Sequence, residues 1–393
     1  MRQLLEGSRA VAEAVRLCRP QVIAAYPITP QTHIIEHLAQ FVADGELNAR
    51  FINAESEFGA ASIVLGAVAG GARAFTASAS QGLLLMTEVL YNIAGMRLPL
   101  VMVCANRAVS APINIFSDHQ DSMSMRDAGW IQLYVESNQE AVDTVIHAYR
   151  IAEACELPVM VCMDGFFLTH TFEPVAIPAQ AAIDEFLPPF AFTRVLDPAR
   201  PITLGGGSEP DNYLEYRAGQ HQALEQASEV IAAIDAEFND RFKRGYGGLV
   251  EPYCLEGAET VIVTLGSTMG ALRDVVDTLR ADGVSVGALR LRCFRPFPAQ
   301  AITQHLAGAV RIVVLEKAFS AGAGGIVAGE LRAALYQVGK SIPIESVIGG
   351  LGGRDLTPVV IEAILRRTAA GESSAACRFA DLSFDAVPST QEV

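Results

Sequence analysis

Basic residues are in short supply: 29 lysines and arginines face 44 acidic residues, for a formal net charge of −15. No Lys/Arg cluster interrupts that acidity, which argues against nucleic acid and anionic membrane as partners. Long apolar runs are missing as well. The most apolar stretch, Phe58 to Ala72, is broken by glycines and flanked by Glu57 and Arg73, too short to span a bilayer comfortably. The N-terminal segment carries Glu6 and Glu13 and no apolar signal core, so no secretory peptide is expected. The seven cysteines, at positions 18, 104, 155, 162, 254, 293 and 377, are scattered and form no C-x-x-C. Structural zinc and iron–sulfur clusters usually draw on clustered thiolates. These cysteines read instead as small buried hydrophobes in a reducing compartment. The expectation is a cytoplasmic protein with no metal site of its own.

What is present is a strand–helix alternation in a chain of 393 residues, long enough for two or three domains and a large core. Val22–Ala25 reads as a buried strand, and Tyr26-Pro27-Ile28-Thr29-Pro30 follows it. Each proline fixes its own φ at about −65° and biases the preceding residue toward extended backbone, so the Thr29 hydroxyl sits on a stiff loop at a strand end. A second short apolar piece, Phe51-Ile52, leads to Glu57, which opens a run of small residues from Gly59 to Ala72. Glu57 has two readings: a charge complementing a helix dipole, or a buried carboxylate that needs a ligand as its partner. Leu100–Cys104 is a further buried strand, ending at Asn106-Arg107. In parallel sheets ligands bind beyond the carboxyl ends of the strands, and Thr29, Glu57 and Arg107 all follow strands directly. That shared placement makes them one candidate site.

The spacing predicts helices over residues 5–18, 31–42, 83–93 and 139–155, with a strand at Val159–Met163 and a turn at Asp164-Gly165. The long stretch Ala111–Asp121 reads as an ordered functional loop. Within it His119 fits a bracing hydrogen-bond network better than a metal site. The expected boundaries are a first domain over 1–173, a linker arm with one long polar helix (214–243) over 174–249, a second α/β domain over 250–370, and a tail over 371–393 that docks on a partner or stays loose. In the second domain Gly266-x-x-x-Gly270 lacks the Walker lysine and the dinucleotide spacing, so close strand–helix packing is the expected role of those glycines. The loop Gly322–Gly325 has no assigned role.

Several motifs together carry a resemblance. They are Tyr26–Pro30; Ser56-Glu57 with Gly59-Ala60-Ala61; Ser80–Met86; Asn106-Arg107-Ala108; Asp118-His119-Gln120-Asp121; Met163–Phe166 with Thr169-His170; and Arg295-Pro296-Phe297-Pro298. Over nearly its whole length the chain resembles the α subunits of pyruvate:ferredoxin oxidoreductases, within the wider 2-oxoacid:acceptor oxidoreductases. The resemblance implies an α/β fold: a thiamine-enzyme pyrimidine-type domain with a parallel sheet, plus a transketolase C-terminal-like α/β domain. It implies oxidative decarboxylation of a 2-oxoacid to acyl-CoA and CO2, with electrons passed on through partner subunits. Glu57 matches the glutamate that hydrogen-bonds N1′ of the aminopyrimidine and favours the imino tautomer that deprotonates the thiazolium. Tyr26 and Pro27 match cofactor-binding positions. Thr29 and Arg107 match positions that contact the oxoacid.

Thiamine enzymes also carry a Gly-Asp-Gly motif, followed by Asn, that holds Mg²⁺ and the diphosphate. Met163-Asp164-Gly165 lacks the first glycine and the matching Asn. The resemblance therefore implies a thiamine diphosphate shared with a β subunit that holds the diphosphate and Mg²⁺. Iron–sulfur clusters fall to a γ and a ferredoxin-like subunit. Pyruvate is the first expectation for substrate. Phenylglyoxylate-type enzymes have similar α subunits, and some reduce NAD through an added flavin subunit, so the oxoacid and the acceptor stay open. Two other readings are a non-redox transketolase-like enzyme and a scaffold subunit without catalysis.

Overall fold

Strands of unbroken apolar sequence need cover on both faces, and the chain supplies it by alternating them with helices. The computed structural model describes residues 2–372 and 377–386. Its first part runs β1 (Arg2–Glu6), α1 (Gly7–Leu17), β2 (Val22–Ala25), α2 (Thr32–Ala43), β3 (Arg50–Asn53), α3 (Glu57–Ala69), β4 (Ala74–Ser78), α4 (Ser80–Leu85), α5 (Thr87–Gly95), β5 (Val101–Asn106), α6 (Gln120–Ser124), β6 (Ile131–Tyr134), α7 (Asn138–Cys155), β7 (Val159–Asp164) and β8 (Phe172–Ala176). Then come α8 (Gln180–Phe186) and α9 (Tyr213–Phe242). The second part runs β9 (Val250–Tyr253), β10 (Thr260–Thr264), α10 (Thr268–Ala281), β11 (Val286–Leu291), β12 (Cys293–Arg295), α11 (Ala299–His305), β13 (Arg311–Glu316), β14 (Phe319–Ser320), β15 (Gly324–Gly325), α12 (Ile326–Gln337), β16 (Ile344–Ile348), α13 (Pro358–Ala369) and β17 (Arg378–Phe379).

The fold is α/β, with parallel pairing dominant in both large sheets. The first sheet has strand order β12-β6-β7-β5-β4-β2-β3, and only β12 is antiparallel to its neighbour. The chain steps outward from β2 to β3, then returns to β4 on the other side of β2. The strand order therefore reverses between β2 and β4, which opens a crevice at their carboxyl ends. The second sheet has order β17-β16-β13-β10-β11-β9, with β9 antiparallel at its edge.

One face of the first sheet is sealed by α1, α2, α7 and α9 through Val11, Val15, Ile34, Leu38, Val142, Ile146, Ile231 and Phe238. The other face lies under α3 and α5. There Ala60, Val64, Val68, Leu90 and Met102 join a single apolar cluster that continues into Val263, Leu289 and Val314 of the second sheet and Leu331 of α12. The two sheets thus share a core. Charges are also buried between them. Arg290 and Arg292 are fully buried, and the Glu140 carboxylate of α7 accepts from Arg290 Nη1 at 2.6 Å and Nη2 at 3.1 Å and from Arg292 Nε at 3.2 Å. Burial by itself would raise the Glu140 carboxyl. The two guanidiniums outweigh it and hold the group below its ordinary value.

Four sequence expectations change. Residues 5–18 do not form one helix. Arg2–Glu6 is a strand because it pairs antiparallel with β8, and the helix begins only at Gly7. The helix expected over 83–93 is two helices that meet at Met86, where the Thr87 hydroxyl donates to the Leu84 carbonyl at 2.6 Å and competes with the regular ladder. Cys293–Arg295, expected in the second domain, adds to the edge of the first sheet on β6. Of the tail over 371–393, Arg378–Phe379 pairs parallel with β16 of the chain's own sheet rather than staying loose. Residues 373–376 and 387–393 of that tail lie outside the described residues.

Candidate active site

The loops after β2, β3, β4 and β5 all emerge at the edge where the strand order reverses, and they carry the residues singled out from sequence. Tyr26 is 39 % exposed, and Pro27 and Thr29 are also exposed, so this loop lines open space. Arg107 leaves β5 buried, at 8 % exposure. Its Nη1 donates to the Thr29 carbonyl at 3.0 Å, and its Nε donates to the Asn114 carbonyl at 3.1 Å. Thr29 and Arg107 are thereby brought together. The Thr29 carbonyl, not its hydroxyl, meets the guanidinium. Among the described residues Nη2 has no protein acceptor, so one end of the guanidinium remains for an anion. Burial pushes the Arg107 pKa down from its usual value, and nearby Asp121 partly offsets that.

Glu57 is the first residue of α3. Ser56 caps that helix by accepting from the Gly59 N–H at 3.1 Å. The Glu57 side chain is 8 % exposed and receives no hydrogen bond among the described residues. A buried carboxylate without a donor is costly, so its partner is expected from outside the chain. It faces Gly82 of α4. A Cβ there would come within 2.6 Å of Glu57 Oε1 and 2.7 Å of Ser78 Oγ, so only glycine leaves this space open. Ser78 Oγ and Thr76 Oγ1, on the same strand, are buried without partners.

Asp121, at the start of α6, braces the loops. It accepts from the N–H groups of Ser80 (2.8 Å), Arg107 (3.0 Å) and Ser122 (2.7 Å) and from Asn106 Nδ2 (2.8 Å). One carboxylate thus ties the ends of β4 and β5 to the loop that follows. Burial raises its carboxyl above the ordinary value against all four donors. The neighbouring Asp118 accepts from the Gln120 and Gly352 N–H groups, and burial pushes it up to about 6.

His119 does belong to a bracing network, and that network crosses to the second sheet. Its Nε2 is 2.7 Å from Asp164 Oδ1, which also accepts from Ser117 Oγ at 3.1 Å. Asp164 Oδ2 accepts from the Ser267 N–H at 2.7 Å and lies 3.4 Å from Lys317 Nζ. Burial would raise the Asp164 carboxyl, but Lys317 and His119 outweigh it and hold the group well below the usual carboxylate range. The turn Gly266–Gly270 meets this carboxylate. A Cβ at Gly266, where φ is +72°, would lie 2.9 Å from Asp164 Oδ2. The anion at the start of α10 is therefore the chain's own Asp164. Gly325 ends the glycine-rich loop for a related reason. A side chain there would strike the Glu316 carboxylate, which accepts from the Val327 and Ala328 N–H groups at the start of α12. Burial pushes Glu316 up to about 7.

Sequence reasoning missed Gly82, Asp121 as a hub, and Lys317. Lys317 had a usable signal, since it follows β13 at a carboxyl end. Gly82 and Asp121 lie within motifs that carry the resemblance, but their roles depend on neighbours remote in sequence.

The family described as pyruvate flavodoxin/ferredoxin oxidoreductase, thiamine diphosphate-binding, matches residues 13–236, and the pyruvate:ferredoxin oxidoreductase core domain II matches residues 258–361. The chain is 49 % identical over 369 residues to the pyruvate synthase subunit PorA of Methanosarcina barkeri, covering 93 % of this chain and 92 % of that protein. It is 46 % identical over 360 residues to PorA of Thermotoga maritima, covering 91 % and 92 %. It is 43 % identical over 365 residues to the ketoisovalerate oxidoreductase subunit VorA of Pyrococcus horikoshii, covering 93 % of each. A solved structure, the 2-oxoglutarate:ferredoxin oxidoreductase from Magnetococcus marinus, superposes with a TM-score of 0.71 at 21 % identity, over 94 % of this chain and 65 % of that one. At that identity the likeness concerns the fold. Among the described residues no helix is long and apolar enough to cross a membrane.

Proposed function

The chain belongs to the pyruvate flavodoxin/ferredoxin oxidoreductase family, and from that premise we propose that it is the α subunit of a thiamine-diphosphate-dependent 2-oxoacid:ferredoxin oxidoreductase that converts pyruvate and coenzyme A to acetyl-CoA and CO2. Pyruvate is preferred because the PorA relatives, at 46–50 % identity, exceed the VorA relative at 43 %.

The observation that carries the reading is the Glu57 carboxylate, buried, without a protein donor, and held open over Gly82. That cradle fits an aminopyrimidine ring, and Tyr26 and Pro27 stand on the neighbouring loop at the same sheet edge. When bound, thiamine diphosphate supplies the nucleophilic carbon that adds to the 2-oxo group and the electron sink that lets CO2 leave. Glu57 holds the proton at N1′ of the pyrimidine. Arg107, fixed by the Thr29 and Asn114 carbonyls, offers Nη2 to the carboxylate of the oxoacid. Asp121 keeps these loops in register.

In this reading the diphosphate and its Mg²⁺ lie on a β subunit, and the iron–sulfur clusters on γ and ferredoxin-like subunits. The face offered to the β subunit is that of α3. Phe58, Ser62 and Gly66, four residues apart, are exposed along it, with Phe58 at 40 %. The adjoining α4 and α5 expose Leu85 at 51 % and Tyr91 at 40 %. A side chain-poor stripe rimmed by large apolar groups suits close approach of another chain. All seven cysteines are unpaired, which suits a cytoplasmic complex. Calorimetry of the chain alone with thiamine diphosphate and Mg²⁺ is expected to show no tight binding, and the αβ assembly is expected to bind. Tight binding by the isolated chain would refute the shared site.

The function itself is tested by turnover of the assembled complex on pyruvate and larger 2-oxoacids, with ferredoxin as acceptor. Arg107→Lys should raise KM for pyruvate about ten- to a hundredfold, because lysine cannot hold both carbonyls and still present a second donor edge. An unchanged KM would remove Arg107 from the substrate site. A complex that is idle on pyruvate but turns over a branched or aryl oxoacid would overturn the substrate assignment.

A further inference from the structure

Behind the Tyr26–Pro30 loop, folding gathers side chains that the proposed reaction does not use. Glu6 ends β1, His33 lies in the first turn of α2, and His170 sits in the turn after β7. One ligand atom from each, a carboxylate oxygen and two imidazole nitrogens, all lie within 4.8 Å of one another. His33 Nδ1 is 2.8 Å from Glu6 Oε1, and the His33 and His170 rings are 4.7 Å apart. His37, one helical turn beyond His33, brings its Nε2 to 3.9 Å from Glu6 Oε2. Three imidazoles therefore surround one half-buried carboxylate. A single carboxylate does not satisfy the ring nitrogens of three imidazoles, whereas a cation among Glu6, His33 and His170 engages a lone pair from each.

The surroundings are those of a held ligand rather than a mobile surface histidine. His170 Nδ1 is 2.7 Å from Thr169 Oγ1, which accepts from the Phe166 N–H at 2.8 Å. Such an outer hydrogen bond orients a ligating imidazole and leaves its other nitrogen free. The Phe166 ring stacks on His170 at 4.6 Å and packs on Phe116 at 5.0 Å. Tetrahedral coordination by nitrogen and oxygen at about 2.0–2.2 Å places ligand atoms roughly 3.4 Å apart, so small torsional adjustments of these half-buried side chains close the gap.

We propose that Glu6, His33 and His170 form a binding site for a divalent transition ion of borderline softness, with Zn²⁺ the type ion and a fourth position open to His37 or water. Two imidazoles and a carboxylate favour Zn²⁺, Co²⁺ or Ni²⁺ over Mg²⁺ or Ca²⁺, which prefer all-oxygen sites. The ion would fasten together the end of β1, the start of α2 three positions after Pro30, and the turn that follows Asp164. It shares no ligand residue with the site of Glu57 and Arg107.

The test is a Co²⁺ titration of the assembled, chelator-treated complex, followed by optical absorption and then by Zn²⁺ competition. The same titration is run on His33→Gln/His170→Gln, so that any metal held by other subunits cancels in the difference. The expected difference is one ion per chain, with ligand-field bands of a four-coordinate ion that disappear in the double variant. His170→Gln alone should weaken binding by at least about a hundredfold, given that even outer partners of metal ligands are worth ten- to a hundredfold. His221→Gln, at an exposed position of α9, should leave affinity and spectrum unchanged. If the double variant does not assemble, the single variant decides. Equal stoichiometry and identical spectra in wild type and variant would overturn the proposal.

Discussion

Glu57→Gln in the assembled complex is expected to lower turnover roughly a hundred- to ten-thousand-fold, the range set by loss of a positioned proton-transfer group. Glutamine preserves the volume over Gly82 and the first turn of α3, and Ser56 still caps the helix, so assembly and stability should change little. What disappears is a carboxylate able to hold a proton at N1′. No protein donor or acceptor among the described residues is hydrogen-bonded to the Glu57 carboxylate to take over the role. Cofactor binding should survive in weakened form, so the loss falls on kcat more than on the KM for pyruvate. Turnover within a factor of a few of wild type would refute the catalytic reading of this chain and favour a scaffold subunit.

Asp164→Asn should have the largest effect on stability, about 3–5 kcal/mol, as expected when one partner of a buried ion pair is removed. Asp164 is 1 % exposed and Lys317 is 6 % exposed. The carboxylate takes the Ser267 N–H, the Ser117 hydroxyl, His119 and Lys317 at once. An amide offers one acceptor oxygen and sets a donor against a site built of donors, leaving the Lys317 ammonium unpaired. The check is urea unfolding of the assembled complex, followed by tryptophan fluorescence. Adding Lys317→Met should recover part of the loss, since it removes the stranded charge. A single-variant loss below about 1 kcal/mol would mean that the pair behaves as an exposed one.

The periodic, local features were readable in advance. The apolar runs at 22–25, 100–104 and 159–163 fall on parallel strands β2, β5 and β7, and residues 213–242 form the long helix expected over 214–243. Misreadings fell where a distant partner decides. Leu5 suits a helix face, but β8 recruits it into a strand. Cys293–Arg295 follows β11 directly in sequence, but the open edge of β6 captures it.

The sequence by itself determined the fold class, the acidic character, the family and the residues at strand ends, because alternation, composition and contiguous motifs are properties of neighbours along the chain. Only the tertiary structure decided what those residues meet. It turned the Thr29 carbonyl toward Arg107, set Gly82 beneath Glu57, and made Asp121 a common acceptor for two strand ends. It joined Asp164 to Lys317 across 153 positions, and it brought Glu6, His33 and His170 within reach of one ion. Each of these is a contact between segments far apart in sequence. Such contacts depend on the sheet order and on how the two sheets pack, and no local pattern of residues encodes either.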